Sequence, residues 1–107
     1  MKISKFLLII LFIFTINIKN LLADDDKMIE GIKIFNETAG CAACHTLKAA
    51  GSEANIGPNL DTLNLTEEYI KEIVTRGGGV MPAYGEGILT KEEIDIVSFY
   101  VANSVGK

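Results

Sequence analysis

Cysteine, histidine and arginine are scarce in this chain of 107 residues: it has 2 cysteines, 1 histidine (His45) and a lone arginine, Arg76. One imidazole excludes any site that needs two histidines from the same chain. With no second cysteine pair, a structural zinc centre lacks its four ligands. A thioredoxin-like dithiol expects a βαβ context, and no stretch alternates apolar and polar residues up to a hairpin turn as paired strands do. Basic residues are the minority, 10 Lys and Arg against 14 Asp and Glu for a formal charge of −4, which argues against a nucleic-acid partner. Internal repeats, low-complexity tracts and a second-domain linker are also missing. What remains is one small domain of helices and long loops.

The longest apolar run lies at residues 6–16, preceded by Lys2 and Lys5 and followed, after Ala23, by Asp24, Asp25 and Asp26. A positive start, an apolar middle, a small residue and an acidic onset are the order of a secretory signal peptide. The run is shorter than the ~20 apolar residues that span a membrane, and Asn17, Lys19 and Asn20 close it. The expectation is a leader over residues 1–23, a domain over 24–107 and a periplasmic location. The alternative is an uncleaved leader that anchors the chain to the membrane. Cleavage after Ala23 removes Lys2, Lys5 and Lys19, leaving 7 basic residues against all 14 acidic ones, a formal charge of −7. Any docking partner should therefore present a positively charged patch.

Three helices are expected. The first covers about 27–36, with Ile29, Ile32, Ile34 and Phe35 as its apolar positions and aspartates ahead of it. The second starts after Thr66 as N-cap, carries Glu67 and Glu68 in its first turn, buries Tyr69, Ile70, Ile73 and Val74, and ends at Arg76 before three glycines. The third opens with a Thr90–Glu93 capping box and turns Ile94, Val97, Tyr100 and Val101 inward, with Phe99 beside them. The loops between, 48–64 and 77–89, are long for so small a domain and need a body to pack on. With 84 residues after the leader the apolar core is thin, and a staple is expected.

The pattern that names that staple is Cys41-Ala42-Ala43-Cys44-His45, the c-type haem attachment signature. Both sulfurs bond one haem, and the adjacent His45 meets the iron. No second histidine exists to take the other side, and both thiols are engaged. Methionine is left, with Met81 leading and Met28 its rival. Met81 lies in Gly77-Gly78-Gly79-Val80-Met81-Pro82, where glycines admit close approach of the backbone and Pro82 stiffens the loop right after Met81. A thioether raises the iron potential and fills the position that oxygen or peroxide would take, which favours electron transfer. Pro58, in Gly57-Pro58-Asn59-Leu60, either aims its carbonyl at the far nitrogen of His45 or forms an ordinary turn. Arg76 either meets a haem propionate or is a helix-end cation favoured by the dipole.

With these residues in hand, the chain resembles the class I c-type cytochromes of the small bacterial kind. The match covers residues 31–100: Gly31 and Phe35 on the first helix, Tyr100 on the last, Cys41, Cys44 and His45, then Pro58, and the Met81-Pro82 pair. The resemblance implies an all-α fold of three or more helices wrapped on one covalently bound haem c, with Gly31 and Phe35 crossing the last helix at Tyr100. It implies an exported single-electron carrier rather than an enzyme, its iron cycling between Fe(III) and Fe(II) on His45 and Met81. Partners would be an oxidase, reductase or dehydrogenase. Two other readings are a haem-based sensor or ligand-binding module with an open sixth site, and the dedicated cytochrome subunit of a periplasmic dehydrogenase.

Overall fold

The computed structural model describes residues 4–107, apart from the side chains of residues 16–22. The Lys2 part of the charged start, and the side chains of Asn17, Lys19, Asn20 and Leu21, lie outside the described residues. Among the described residues the regular structure is three α-helices, α1 (Lys5–Lys33), α2 (Glu67–Arg76) and α3 (Lys91–Ser104), and one short antiparallel pair, β1 (Thr46–Leu47) and β2 (Ser52–Glu53).

Helix α1 differs from its expected extent. It starts at Lys5, with the Ser4 side chain accepting the Leu7 N–H at 3.3 Å, because no glycine or proline interrupts residues 5–30 and a helical backbone has no reason to break there. Its two halves behave differently. The large apolar side chains of residues 6–14 are all 47–73% exposed, so this stretch contributes nothing to the core. Further on, Met28 and Ile32 pack against the core and Ile34 and Phe35, just past α1, are buried within it. Ile29, expected on the buried face, points to solvent. After Lys33 the chain widens into a π-helical turn, Ile34–Thr38, closed by the Ala39 N–H on the Ile34 carbonyl at 2.8 Å.

The α1–α3 crossing is set by one glycine. A β-carbon on Gly31 would sit 2.2 Å from Tyr100 Cβ and 2.8 Å from its Cγ, so only a bare backbone lets the helices approach this closely. Phe35 then packs its ring against Tyr100, centroids 6.1 Å apart and planes at 59°, a tilted pair. Helices α2 and α3 form where their caps lie. Thr66 accepts from the Tyr69 N–H at 3.2 Å. Thr90 and Glu93 exchange both bonds of the capping box, at 3.1 and 2.8 Å. Ile70 and Val74 of α2 and Ile94, Val97, Tyr100 and Val101 of α3 are buried, whereas Tyr69 stays half exposed. The expected all-α class, helices joined by long loops, is what the chain forms.

The first long loop is held by local bonds. Leu47 pairs with Ser52 through its N–H and carbonyl, at 3.0 and 3.3 Å to Ser52 Oγ, and Thr46 Oγ1 donates to the Ala54 carbonyl at 2.8 Å. These bonds turn the chain so that residues 56–58 lie back over the 41–45 turn.

Candidate functional site

Gly40 adopts φ 69°, ψ 28°, a left-handed conformation that glycine takes without steric cost. It swings the chain into a 3₁₀ turn, Cys41–Ala43. The Cys41 carbonyl accepts two N–H groups, from Cys44 at 3.1 Å and His45 at 3.0 Å, and this doubled bond coils the segment so that Cys41, Cys44 and His45 all line one cavity. The His45 ring is fixed from two sides. Nδ1 lies 2.7 Å from the Pro58 carbonyl oxygen. A carbonyl only accepts, so Nδ1 carries the proton, and in the neutral ring Nε2 is the nitrogen with the free lone pair. Gly57 lies flat against the ring: a β-carbon there would be 2.6 Å from Cε1, 2.9 Å from Nδ1 and 3.0 Å from Nε2. The Gly57 N–H bonds the Cys44 carbonyl at 2.6 Å, which locks this backbone onto the turn.

Met81 comes from the second long loop. Gly77 ends α2 at φ 67°, ψ −173°, and a side chain there would meet Met81 O at 2.6 Å and Ala83 N at 2.7 Å, so the loop closes tightly on itself. Gly78 and Met81 exchange both backbone bonds, at 3.1 and 2.9 Å. The Tyr84 and Gly85 N–H groups return to the carbonyls of Val74 and Thr75 on α2 at 3.0 and 3.1 Å. Tyr84 also reaches the end of the π-helical turn, its hydroxyl donating to the Ala39 carbonyl at 3.1 Å. The segment around Met81 is thus tied both to α2 and to the residue before Gly40.

These elements enclose a cavity of about 520 Å³. Cys41, Cys44, His45, Gly57 and Pro58 line it together with Gly78, Gly79, Val80, Met81 and Pro82; Phe35, Ile70, Val74, Val97 and Val101 supply apolar wall. Among the described residues no Lys, Arg, Asp or Glu lines it. All five sequence-proposed site residues therefore meet here, and Met28 does not: it packs against the core from α1. Arg76 does not reach the cavity either. Its Nε pairs with Glu72 at 3.2 Å on an exposed helix face.

Burial sets the electrostatics. It pushes the Cys41 thiol up from 9.0 to about 11, because the thiolate loses its hydration, and it pushes the Tyr84 phenol up with a smaller contribution from the two cysteines. A thiol held protonated is a poor nucleophile, unlike the activated cysteine of a dithiol oxidoreductase. Among the described residues no group of three His, Cys, Asp or Glu side chains converges on a metal site, and no helix is long and apolar enough to cross a membrane.

Gly57 and Tyr84 were not singled out by sequence. Gly57 stands beside Pro58, yet its requirement depends on where His45 lands, and the Tyr84–Ala39 bond joins positions 45 residues apart.

Known proteins are similar to this chain over the stretch that contains the site. Residues 26–101 match the family model of "Cytochrome C oxidase, cbb3-type, subunit III". The cytochrome c subunit of the menaquinol:cytochrome c reductase of Bacillus subtilis (strain 168) is 43% identical over 61 residues, which are 57% of this chain and 23% of that protein. The cytochrome c subunit of 4-cresol dehydrogenase (hydroxylating) of Pseudomonas putida is 33% identical over 63 residues, 59% of this chain and 51% of that protein. The chain thus spans a quarter to a half of the length of these two relatives. The crystal structure of the c-type cytochrome SorU from Sinorhizobium meliloti superposes with a TM-score of 0.73 at 45% identity, covering 78% of this chain and 95% of that one.

Proposed function

The chain belongs to the c-type cytochromes, through the family of the cbb3-type oxidase subunit III, and on that premise we propose that it is an exported single-electron carrier holding one haem c. Membership of that family implies a covalently bound haem, and the cavity's residues fit it. Two thiols lie on one short turn, an imidazole is held by its Nδ1 so that Nε2 is left to bind, a thioether is present, and no Lys, Arg, Asp or Glu among the described residues lines the apolar wall. The His45 ring packs directly on the backbone because Gly57 has no Cβ.

In this reading Cys41 and Cys44 would hold the group through thioether bonds, and His45 through Nε2 and Met81 through its sulfur would bind its iron. When bound, the haem iron supplies a one-electron couple between Fe(III) and Fe(II). Pro58 acts through His45: its carbonyl draws on the Nδ1 proton, fixing the ring and strengthening Nε2 as a donor. Met81, bound to that iron, would exclude exogenous ligands and raise the potential. The observation that carries the proposal is the 2.7 Å His45–Pro58 bond, which aims a lone pair within a cavity shared by both cysteines and Met81.

Residues 1–23 act as the export leader and 24–107 as the periplasmic domain in this account; the exposed apolar side chains of residues 6–14 support a leader outside the folded body. Its partners are redox proteins with positively charged docking surfaces. The reductase and dehydrogenase subunits among its relatives support a place beside a larger enzyme as well as a free shuttle.

The test is a set of oxidised and reduced spectra for the haem-loaded chain and for Met81→Ala. The wild type should ignore added cyanide or carbon monoxide, and the variant should bind them and lose potential. An unchanged spectrum and potential in Met81→Ala would remove Met81 from the iron and leave the sensor reading with its open sixth site.

A further inference from the structure

We propose that Asp61 is a positioning residue for His45, acting through the loop that carries the Pro58 carbonyl. The inference rests on the reading of His45 as the iron's ligand. Pro58 has no N–H with which to fix itself, so its carbonyl direction depends on what holds the chain on either side. On one side the Gly57 N–H is bonded to Cys44 at 2.6 Å. On the other side the anchor is Asp61. Its Oδ2 accepts the Lys48 N–H at 2.8 Å, three residues beyond His45, and its own N–H donates to Asn59 Oδ1 at 3.0 Å, directly after Pro58. Thr62 Oγ1 adds a bond to the Asn59 carbonyl at 3.0 Å.

The carboxylate's remaining oxygen, Oδ1, accepts the Gly106 N–H at 2.9 Å from 45 residues away. Gly106 turns at φ 72°, a left-handed conformation suited to glycine, which brings the end of the chain back over the loop. One carboxylate therefore joins three segments: the stretch after His45, the loop after Pro58, and the turn after α3. Its two accepted bonds are of the charge-assisted kind. With the Gly57–Cys44 bond they close a ring of contacts around His45, so slack at Asp61 is felt at the Pro58 carbonyl. A looser carbonyl draws less on the Nδ1 proton, makes Nε2 a weaker donor, and stabilises Fe(III) less.

The test uses the haem-loaded full chain as wild type, Asp61→Asn and, as a control, Ser52→Ala. Among the described residues the Ser52 hydroxyl is hydrogen-bonded to Leu47 of the neighbouring hairpin and to no residue of the 58–61 loop. Two readouts are needed: solvent exchange of the His45 Nδ1 proton by NMR, and the reduction potential. Asp61→Asn should exchange that proton about tenfold faster, the effect of one ordinary hydrogen bond, and its potential should rise. Ser52→Ala should melt at a lower temperature with both readouts unchanged. The inference is overturned if Asp61→Asn loses stability alone, or if Ser52→Ala moves both readouts equally. A wild-type chain that carries haem without His45 on the iron would instead overturn the ligand assignment, while the Nδ1 proton still reports whether Asp61 holds the ring.

Discussion

Adding one methyl group at Gly57 should disturb the site more than any other substitution of that size in the loop. The added carbon would lie 2.6 Å from His45 Cε1, 2.9 Å from Nδ1 and 3.0 Å from Nε2. Comfortable carbon contacts start at ~3.5 Å, so ring and backbone must part by about 1 Å. Neither is free to move. The ring is held by the 2.7 Å bond to Pro58 and the backbone by the 2.6 Å bond to Cys44. Overpacking of this kind costs about 1–3 kcal/mol, and stretching the His45–Pro58 bond beyond reach adds about 1 kcal/mol. Gly57→Ala should therefore lose about 2–4 kcal/mol in chemical denaturation of the haem-loaded chain, with faster exchange of the Nδ1 proton. A variant within about 0.5 kcal/mol of wild type, with that exchange unchanged, would refute the close packing of Gly57 on the imidazole.

Gly31→Ala must push α1 and α3 apart at a contact of 2.2 Å, and a loss of about 3 kcal/mol is expected in thermal or urea unfolding; a loss below about 0.5 kcal/mol contradicts the crossing. Arg76→Ala removes only an exposed pair with Glu72, so stability should shift by less than about 1 kcal/mol and the potential should stay put. A changed potential would return Arg76 to the haem edge. Stability should fall as pH rises above 10.0, because burial pushes the Tyr84 and Tyr100 phenols up from that value and the folded chain keeps protons that the unfolded chain has released. Where the Cys41 thiol is free, its shift from 9.0 to about 11 starts the fall at pH 9, and bonding the sulfur removes that earlier limb. Denaturation curves from pH 8 to 11 read both limbs, and stability that rises with pH contradicts them.

What the sequence makes legible is what local chemistry decides. Thr66, Thr90 and Glu93 mark the starts of α2 and α3 because a cap is satisfied within three residues, and the 41–45 pattern identifies its own turn for the same reason. The extent of α1 is less legible. The apolar run at 6–16 reads as a processing signal, yet its backbone has no breaker to separate it from the rest of the helix. Ile29 fits the helical period and still faces solvent, since period alone does not say which neighbour is present. Gly57, Asp61 and Tyr84 are invisible for a different reason. Their roles arise only when segments 12 to 45 residues apart meet, and nothing in a glycine, aspartate or tyrosine announces that meeting.

The central claim, one haem bonded through Cys41 and Cys44, is tested most directly by the intact mass of the chain matured alongside a haem-attachment system, compared with Cys41→Ala/Cys44→Ala. The wild type should weigh its polypeptide plus a single haem after denaturation, and the double variant its polypeptide alone. A wild-type mass equal to the bare polypeptide would contradict the account.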